Sequence, residues 1–199
     1  PYKFFGLHQG VLWGKYELLQ KLESYKVRPA DDMPPGKFET GTQSHEGQAG
    51  TLGVIEYLEW IGESMGKEFQ GNFNELSGRR KNLHAAMYAI QEYEQILSEK
   101  LISGLLMFPD VQIAGISNKK DFSRRVPTVS FSVKNKNPQK IAQKLADENI
   151  FVWHGHNYAL EVVRQMGIED SGGVVRIGPV HYNTIQEIDR TLEVLGKCL

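Results

Sequence analysis

Cysteine is almost missing from this chain of 199 residues; its one thiol, Cys198, stands next to the last position. A lone cysteine excludes an internal disulfide framework and any multi-cysteine zinc site, and it fits a reducing compartment, so the cytoplasm is the expected location. Neither charge sign is in excess. With 23 basic and 24 acidic residues the formal net charge is −1, and no block of like charges offers an electrostatic footprint for nucleic acid or an anionic membrane surface. Long apolar runs are absent too: none approaches the roughly 18 to 20 residues that span a bilayer, and no basic region followed by an apolar stretch opens the chain. Nor is there an initiator methionine. Pro1-Tyr2-Lys3-Phe4-Phe5 enters apolar sequence at once and reads as the middle of a larger protein.

What is present is a globular composition, 40% hydrophobic, enough to bury a core. Gly10 to Gly14 is a short apolar run between glycines and predicts a buried strand. Leu18, Leu19 and Leu22 place a helix within Lys15 to Lys26, and Pro29, Pro34, Pro35 and Gly36 mark a loop after it. Leu52, Ile55, Leu58, Ile61 and Met65 recur at helical spacing from about Gly47 to Met65. A longer helix is predicted from Leu76 to Leu106 on the stripe Leu83, Met87, Ile90, Leu97, Leu101 and Leu105, a spine joining two lobes. Glu94 sits in its seam and argues against a coiled coil.

Beyond Pro109 the pattern changes. Strands are predicted near 111–116, 128–133, 150–153 and 174–177; in the second, Val129, Phe131 and Val133 alternate with Thr128, Ser130 and Ser132, one face buried and one wet. Asn137-Pro138 opens a helix carrying Ile141 and Leu145 inward. Asn183 or Thr184 caps a final helix with the stripe Ile185, Ile188, Leu192 and Leu195, and Thr184 and Glu187 stand at capping-box spacing. The expected lobe is α+β, an antiparallel-rich sheet covered by the helices near 138 and 184. The expected organisation is residues 1–75, a connecting helix at 76–108, and the small domain at 109–199.

Four sets of residues carry chemistry. Lys3 lies among Tyr2, Phe4 and Phe5 ahead of two glycines, on a tight turn at the edge of the expected sheet, where an apolar setting would favour a neutral, nucleophilic amine. Phe38-Glu39-Thr40-Gly41-Thr42 enters the helix near Gly47. His154-Gly155-His156-Asn157-Tyr158-Ala159 follows a strand; its two histidines lack a third ligand at metal-site spacing, so no metal is expected. Arg176, between Val175 and Ile177, offers a planar fork suited to a carboxylate and has Tyr182-Asn183-Thr184 shortly after it.

In this order the four segments resemble the class V aminotransferase and cysteine desulfurase family. Tyr2-Lys3-Phe4-Phe5-Gly6-Leu7-His8-Gln9-Gly10 looks like the family's cofactor-lysine segment, and Phe38 to Thr42 like its Phe-Glu-any-Gly-Thr segment. The histidine segment looks like Gly-His-His-Cys-Ala. The resemblance implies pyridoxal 5'-phosphate as cofactor and an α/β plus α+β fold, the end of a fold type I large domain followed by the small carboxy-terminal domain. It implies a catalytic Lys3, cofactor contacts from Lys3, Gly41 and Thr42, and substrate contacts from Arg176, His156 and Tyr158. It also implies an amino-acid substrate and a homodimer in which Thr42 reaches the partner's cofactor phosphate.

The departures are specific: Tyr2 replaces the usual histidine, Leu7 a proline, Gln9 a small residue, and Tyr158 the sulfur-carrying cysteine. Residues that in the family precede the lysine, among them the acidic partner of the pyridine nitrogen, are absent, so this stretch alone is expected to be inactive. The competing reading is a non-catalytic α+β binding or interaction module.

Overall fold

The computed structural model describes residues 1–199, and the chain divides into two compact units, Pro1–Met87 and Tyr88–Leu199, the division falling within its longest helix. No helix is long and apolar enough to cross a membrane.

The first unit is built from helices: α1 (Tyr16–Lys21), α2 (His45–Ser64) and the beginning of α3 (Gly78–Leu105), with short 3-10 turns between them. The strand expected at Gly10–Gly14 does not form. Val11, Leu12 and Trp13 are 72%, 85% and 80% exposed. A strand requires a neighbour to take its backbone hydrogen bonds, and no other strand exists in this unit. Helix α1 is shorter than its leucine spacing suggests. Its end is fixed by a buried lysine: Lys37 Nζ donates to the carbonyls of Gln20 (3.0 Å) and Leu22 (2.8 Å) and lies 5.3 Å from the Phe38 ring centre. The ammonium thereby satisfies carbonyls that a helix terminus leaves without partners.

Helix α2 starts at Ser44, whose hydroxyl accepts from the Gly47 N–H. Its buried face carries Val54, Leu58 and Ile61 together with Gly47 and Gly62, while Leu52 and Met65 of the expected stripe are exposed. The helix is turned so that glycines occupy its closest contacts. A Cβ placed on Gly62 would stand 1.9 Å from the Asn82 carbonyl oxygen of α3, so backbone meets backbone there.

The second unit holds one sheet: β1 (Val111–Ala114), β2 (Val129–Val133), β3 (Trp153–Gly155) and β4 (Val174–Ile177), all antiparallel in the order β1-β2-β4-β3. Val129, Phe131 and Val175 are fully buried on its inner face. They pack with Leu97, Leu101 and Leu105 of α3, with α4 (Pro138–Asp147) through Ile141 and Leu145, and with α6 (Ile185–Cys198) through Ile188 and Leu195. Burying each of these large side chains contributes roughly 1.5–3 kcal/mol, which makes this face the source of the unit's stability.

Capping follows the sequence signals. The Asn137 side chain accepts from the N–H groups of Gln139 and Lys140, and Thr184 and Glu187 form a complete capping box. Two elements differ from expectation. Ladder pairing of β3 begins at Trp153, so Ile150 and Val152 pack against the core before the strand starts. A short helix, α5 (Leu160–Gln165), was not anticipated; Arg164 bridges Glu161 at 2.8 Å and Glu169 at 2.9 Å and so ties it to the turn that follows.

Two substitutions in α2 should have opposite signs. Gly62→Ala should destabilise by roughly 1–3 kcal/mol, because the new methyl meets a carbonyl that cannot rotate away. Gly53→Ala, where a Cβ would meet nothing within 4 Å, should stabilise by about 0.5–1 kcal/mol through helix propensity. Denaturant unfolding of both variants measures this.

Candidate functional site

The predicted site residues fall on both units, Lys3, Gly41 and Thr42 on the first and His156, Tyr158 and Arg176 on the second. Lys3 lies in a 3-10 turn, Tyr2–Phe4, closed by Phe5 in the left-handed region at φ 73°. Gly6 is required behind it: a Cβ there would stand 2.7 Å from the Pro1 side chain and 3.1 Å from Val54. The segment then runs along α2, where Leu7 fills the gap left by Gly50 and the Gln9 amide oxygen rests where Gly47 has no side chain. The replacements at Leu7 and Gln9 therefore have a steric counterpart in α2. Tyr2 stacks on His8 with ring centres 4.6 Å apart, and Lys3 Nζ lies 5.7 Å from the Tyr2 ring centre.

The lysine is exposed and no strand forms beside it in the first unit, which corrects the expectation of an apolar sheet edge within this chain. Gly41 and Thr42 are exposed in the loop ahead of Ser44, and the space beside Gly41 is open.

Arg176, the third residue of β4, has its side chain exposed on the face opposite the core; Val174 and Ser132 on that face are buried, so it is not uniformly wet as the alternation predicts. Val175 and Ile177 point inward and the guanidinium outward. Register places Ser130 beside it on one side and Trp153 on the other, and Ala114 beside Ser130, so one row crosses all four strands. No carboxylate of the chain pairs with Arg176.

The loop after β3 is tightly wound. Gly155, Asn157 and Tyr158 all have positive φ, 105°, 51° and 62°. Such a conformation is unusual for an aromatic residue and costs on the order of 1 kcal/mol or more. The Tyr158 N–H donates to His156 Nδ1 (3.1 Å), the Asn157 amide donates to the Gly155 carbonyl, and the Tyr158 side chain is fully exposed. As the acceptor is Nδ1, a neutral His156 presents Nε2–H outward.

Sequence reasoning missed the residues that hold the segment following Arg176. The Tyr93 hydroxyl donates to the Asn183 carbonyl at 2.8 Å, and Glu94 accepts from the His181 N–H at 3.2 Å. Burial raises the Glu94 pKa above the ordinary carboxylate value, partly opposed by that hydrogen bond, and burial lowers the His181 pKa. His181 Nδ1 is 3.9 Å from Glu94 Oε1, too far for a hydrogen bond, and the lowered pKa keeps the imidazole neutral, so the contact is not an ion pair at neutral pH.

A family model described as aminotransferase class-V matches residues 82–191. Among curated relatives, the aminotransferase-like protein FGM3 of Gibberella zeae is 29% identical over 100% of this chain and 44% of its own length. A protein described as a probable cysteine desulfurase, from Streptomyces coelicolor, is 28% identical over 94% of this chain and 40% of its own. The apo cysteine desulfurase of Thermococcus onnurineus NA1 superposes with a TM-score of 0.63 at 28% identity, covering 83% of this chain and 34% of that one. The cysteine desulfurase CsdA of Escherichia coli superposes at 0.62 with 20% identity, covering 98% of this chain and 44% of that one, a likeness of fold. The chain thus spans less than half the length of these proteins, and its fold is part of fold type I: the end of the large domain and the small α+β domain.

Glu94 allows a test of how the segment after β4 is held. Its folded-state pKa is raised, so the folded protein binds the proton more tightly than the unfolded chain. The charge costs nothing below the unfolded value, and the cost grows as pH rises through the folded value. Glu94→Gln keeps an acceptor for the His181 N–H and removes the charge. Unfolding measured from acid to neutral pH should show the variant equal to wild type in acid and more stable than wild type at neutral pH; no gain at neutral pH would overturn the assignment.

Proposed function

The chain belongs to the class-V aminotransferase family, and from that we propose that it is the carboxy-terminal part of a pyridoxal-phosphate-dependent enzyme acting on amino acids. The observation that carries this reading is Arg176: an arginine whose backbone is held in the middle of the sheet, with its guanidinium exposed and free of any carboxylate of the chain. Such a fork donates two parallel hydrogen bonds to the carboxylate of an α-amino acid.

The first unit has groups that fit the cofactor. Lys3 offers an exposed primary amine with no acidic partner, Thr42 an exposed hydroxyl, and Gly41 an unobstructed backbone. When bound, pyridoxal phosphate withdraws electrons from the substrate's α-carbon. In this reading Lys3 anchors the cofactor and its freed amine moves a proton at that α-carbon. Thr42 hydrogen-bonds the cofactor phosphate of the partner subunit in a homodimer.

Tyr158 sets this protein apart from sulfur-transferring relatives. A phenol cannot store sulfane sulfur, and Cys198 is buried in the core. The proposed outcome is therefore transamination, racemisation or elimination at a carbon–sulfur bond, with the exposed phenol and His156 free to hydrogen-bond the substrate.

In the full-length protein loaded with cofactor, borohydride reduction should attach the label to Lys3, and Lys3→Ala should abolish it. Arg176→Ala should weaken binding of α-amino acids by roughly 2 kcal/mol or more and that of the corresponding amines little; equal losses would remove Arg176 from the site. Incubation with cysteine should leave no persulfide on Cys198 by mass spectrometry.

A further inference from the structure

Trp153 stands beside Arg176 on the neighbouring strand β3. Trp153 is a large aromatic on the outer face of an edge strand, 65% exposed, and adds nothing to the core on the other face. No ring of the chain stacks on it. Single exposed aromatics are common on protein surfaces. This one is the direct cross-strand neighbour of an arginine without a carboxylate partner, in a row whose other members are Ser130 and Ala114. Cross-strand neighbours stand about 4.5–5.5 Å apart at Cβ. The row is therefore asymmetric about the guanidinium, with a low floor of small side chains on one side and an indole on the other.

The space beyond the indole is also open. Gly155 is the next residue of β3 on the same face, and a Cβ there would meet nothing within 4 Å. Its φ of 105° disfavours any other residue and keeps the gap clear. The exposed face of Trp153 is an apolar surface beside a ligand whose carboxylate is held by Arg176.

We propose that Trp153 is a specificity-determining residue, the wall against which the side chain of an α-amino acid held at Arg176 packs, so that aromatic and long apolar amino acids are preferred over small ones. This rests on the reading of Arg176 as the carboxylate anchor, and the test separates the two. An aromatic side chain gains area burial and offset stacking against an indole, whereas a methyl group gains little of either.

The experiment uses the full-length protein and two unreactive carboxylates, propionate and 3-phenylpropionate, with affinities measured by calorimetry so that no turnover is needed. Wild type should bind 3-phenylpropionate at least about tenfold more tightly. Trp153→Ala should shrink that preference to about twofold while changing propionate affinity little, and Trp153→Phe should retain most of it. Trp153→Leu, which keeps bulk and loses the ring, should fall between, and it decides the matter if the alanine variant proves unstable. No preference in wild type, or a preference unchanged in Trp153→Ala, overturns the proposal. If Arg176→Ala leaves propionate binding unaltered, the anchor reading fails and the wall falls with it. If Arg176→Ala weakens both ligands while Trp153→Ala leaves the preference intact, only the wall fails.

Discussion

The alternation of β4 is the constraint on which the second unit depends. Val175 and Ile177 are drawn inward by the apolar face they share with Val129 and Phe131, and because strand side chains alternate, Arg176 between them must point to water. A slip of one residue would bury the guanidinium and expose the valine and isoleucine, two penalties at once. The hydrophobic face thereby fixes the position of a polar one. The same pairing carries outward to Ser130 and Ala114 on one side and Trp153 on the other, so a row chosen by no polar interaction is held as firmly as the core beneath it.

In the first unit close backbone approach takes the place of a sheet. Gly47 and Gly50 let the segment carrying Lys3 lie along α2, and Gly62 lets α2 touch α3 at the Asn82 carbonyl. Lys37, not Lys3, is the lysine withdrawn from solvent, and its partners are helix-end carbonyls. A sequence cannot distinguish two such lysines by composition. Apolar neighbours surround the exposed one, and a proline-glycine loop precedes the buried one.

Legibility followed locality. Helix α4, helix α6 with its capping box, and β4 were readable because their signals lie within a few residues of one another. The inner face of β2 was readable from strict alternation. The Gly10–Gly14 strand was misread because apolar content marks a residue that wants burial but cannot say whether a pairing partner is nearby. The face of α2 was misread because glycine contributes nothing to a hydrophobic stripe, yet three of its closest contacts are made at glycines, Gly47, Gly50 and Gly62. In the candidate site, Arg176 and the loop of His156 and Tyr158 were visible as residue types at a spacing. Trp153 was not, since its outward direction depends on a strand start that only pairing reveals. Glu94 was noted as a charge in an apolar seam, but its partner His181 is 87 residues away.

Cys198 lies under the last turn of α6, packed into the same core as Phe131 and Leu195. Since a buried thiol reacts only when its cover opens, the rate at which a small alkylating reagent modifies Cys198 reports how often the end of α6 lifts from the sheet. The chain's only sulfhydryl is thus a native chronometer of partial unfolding, readable by mass without engineering a probe into the sequence.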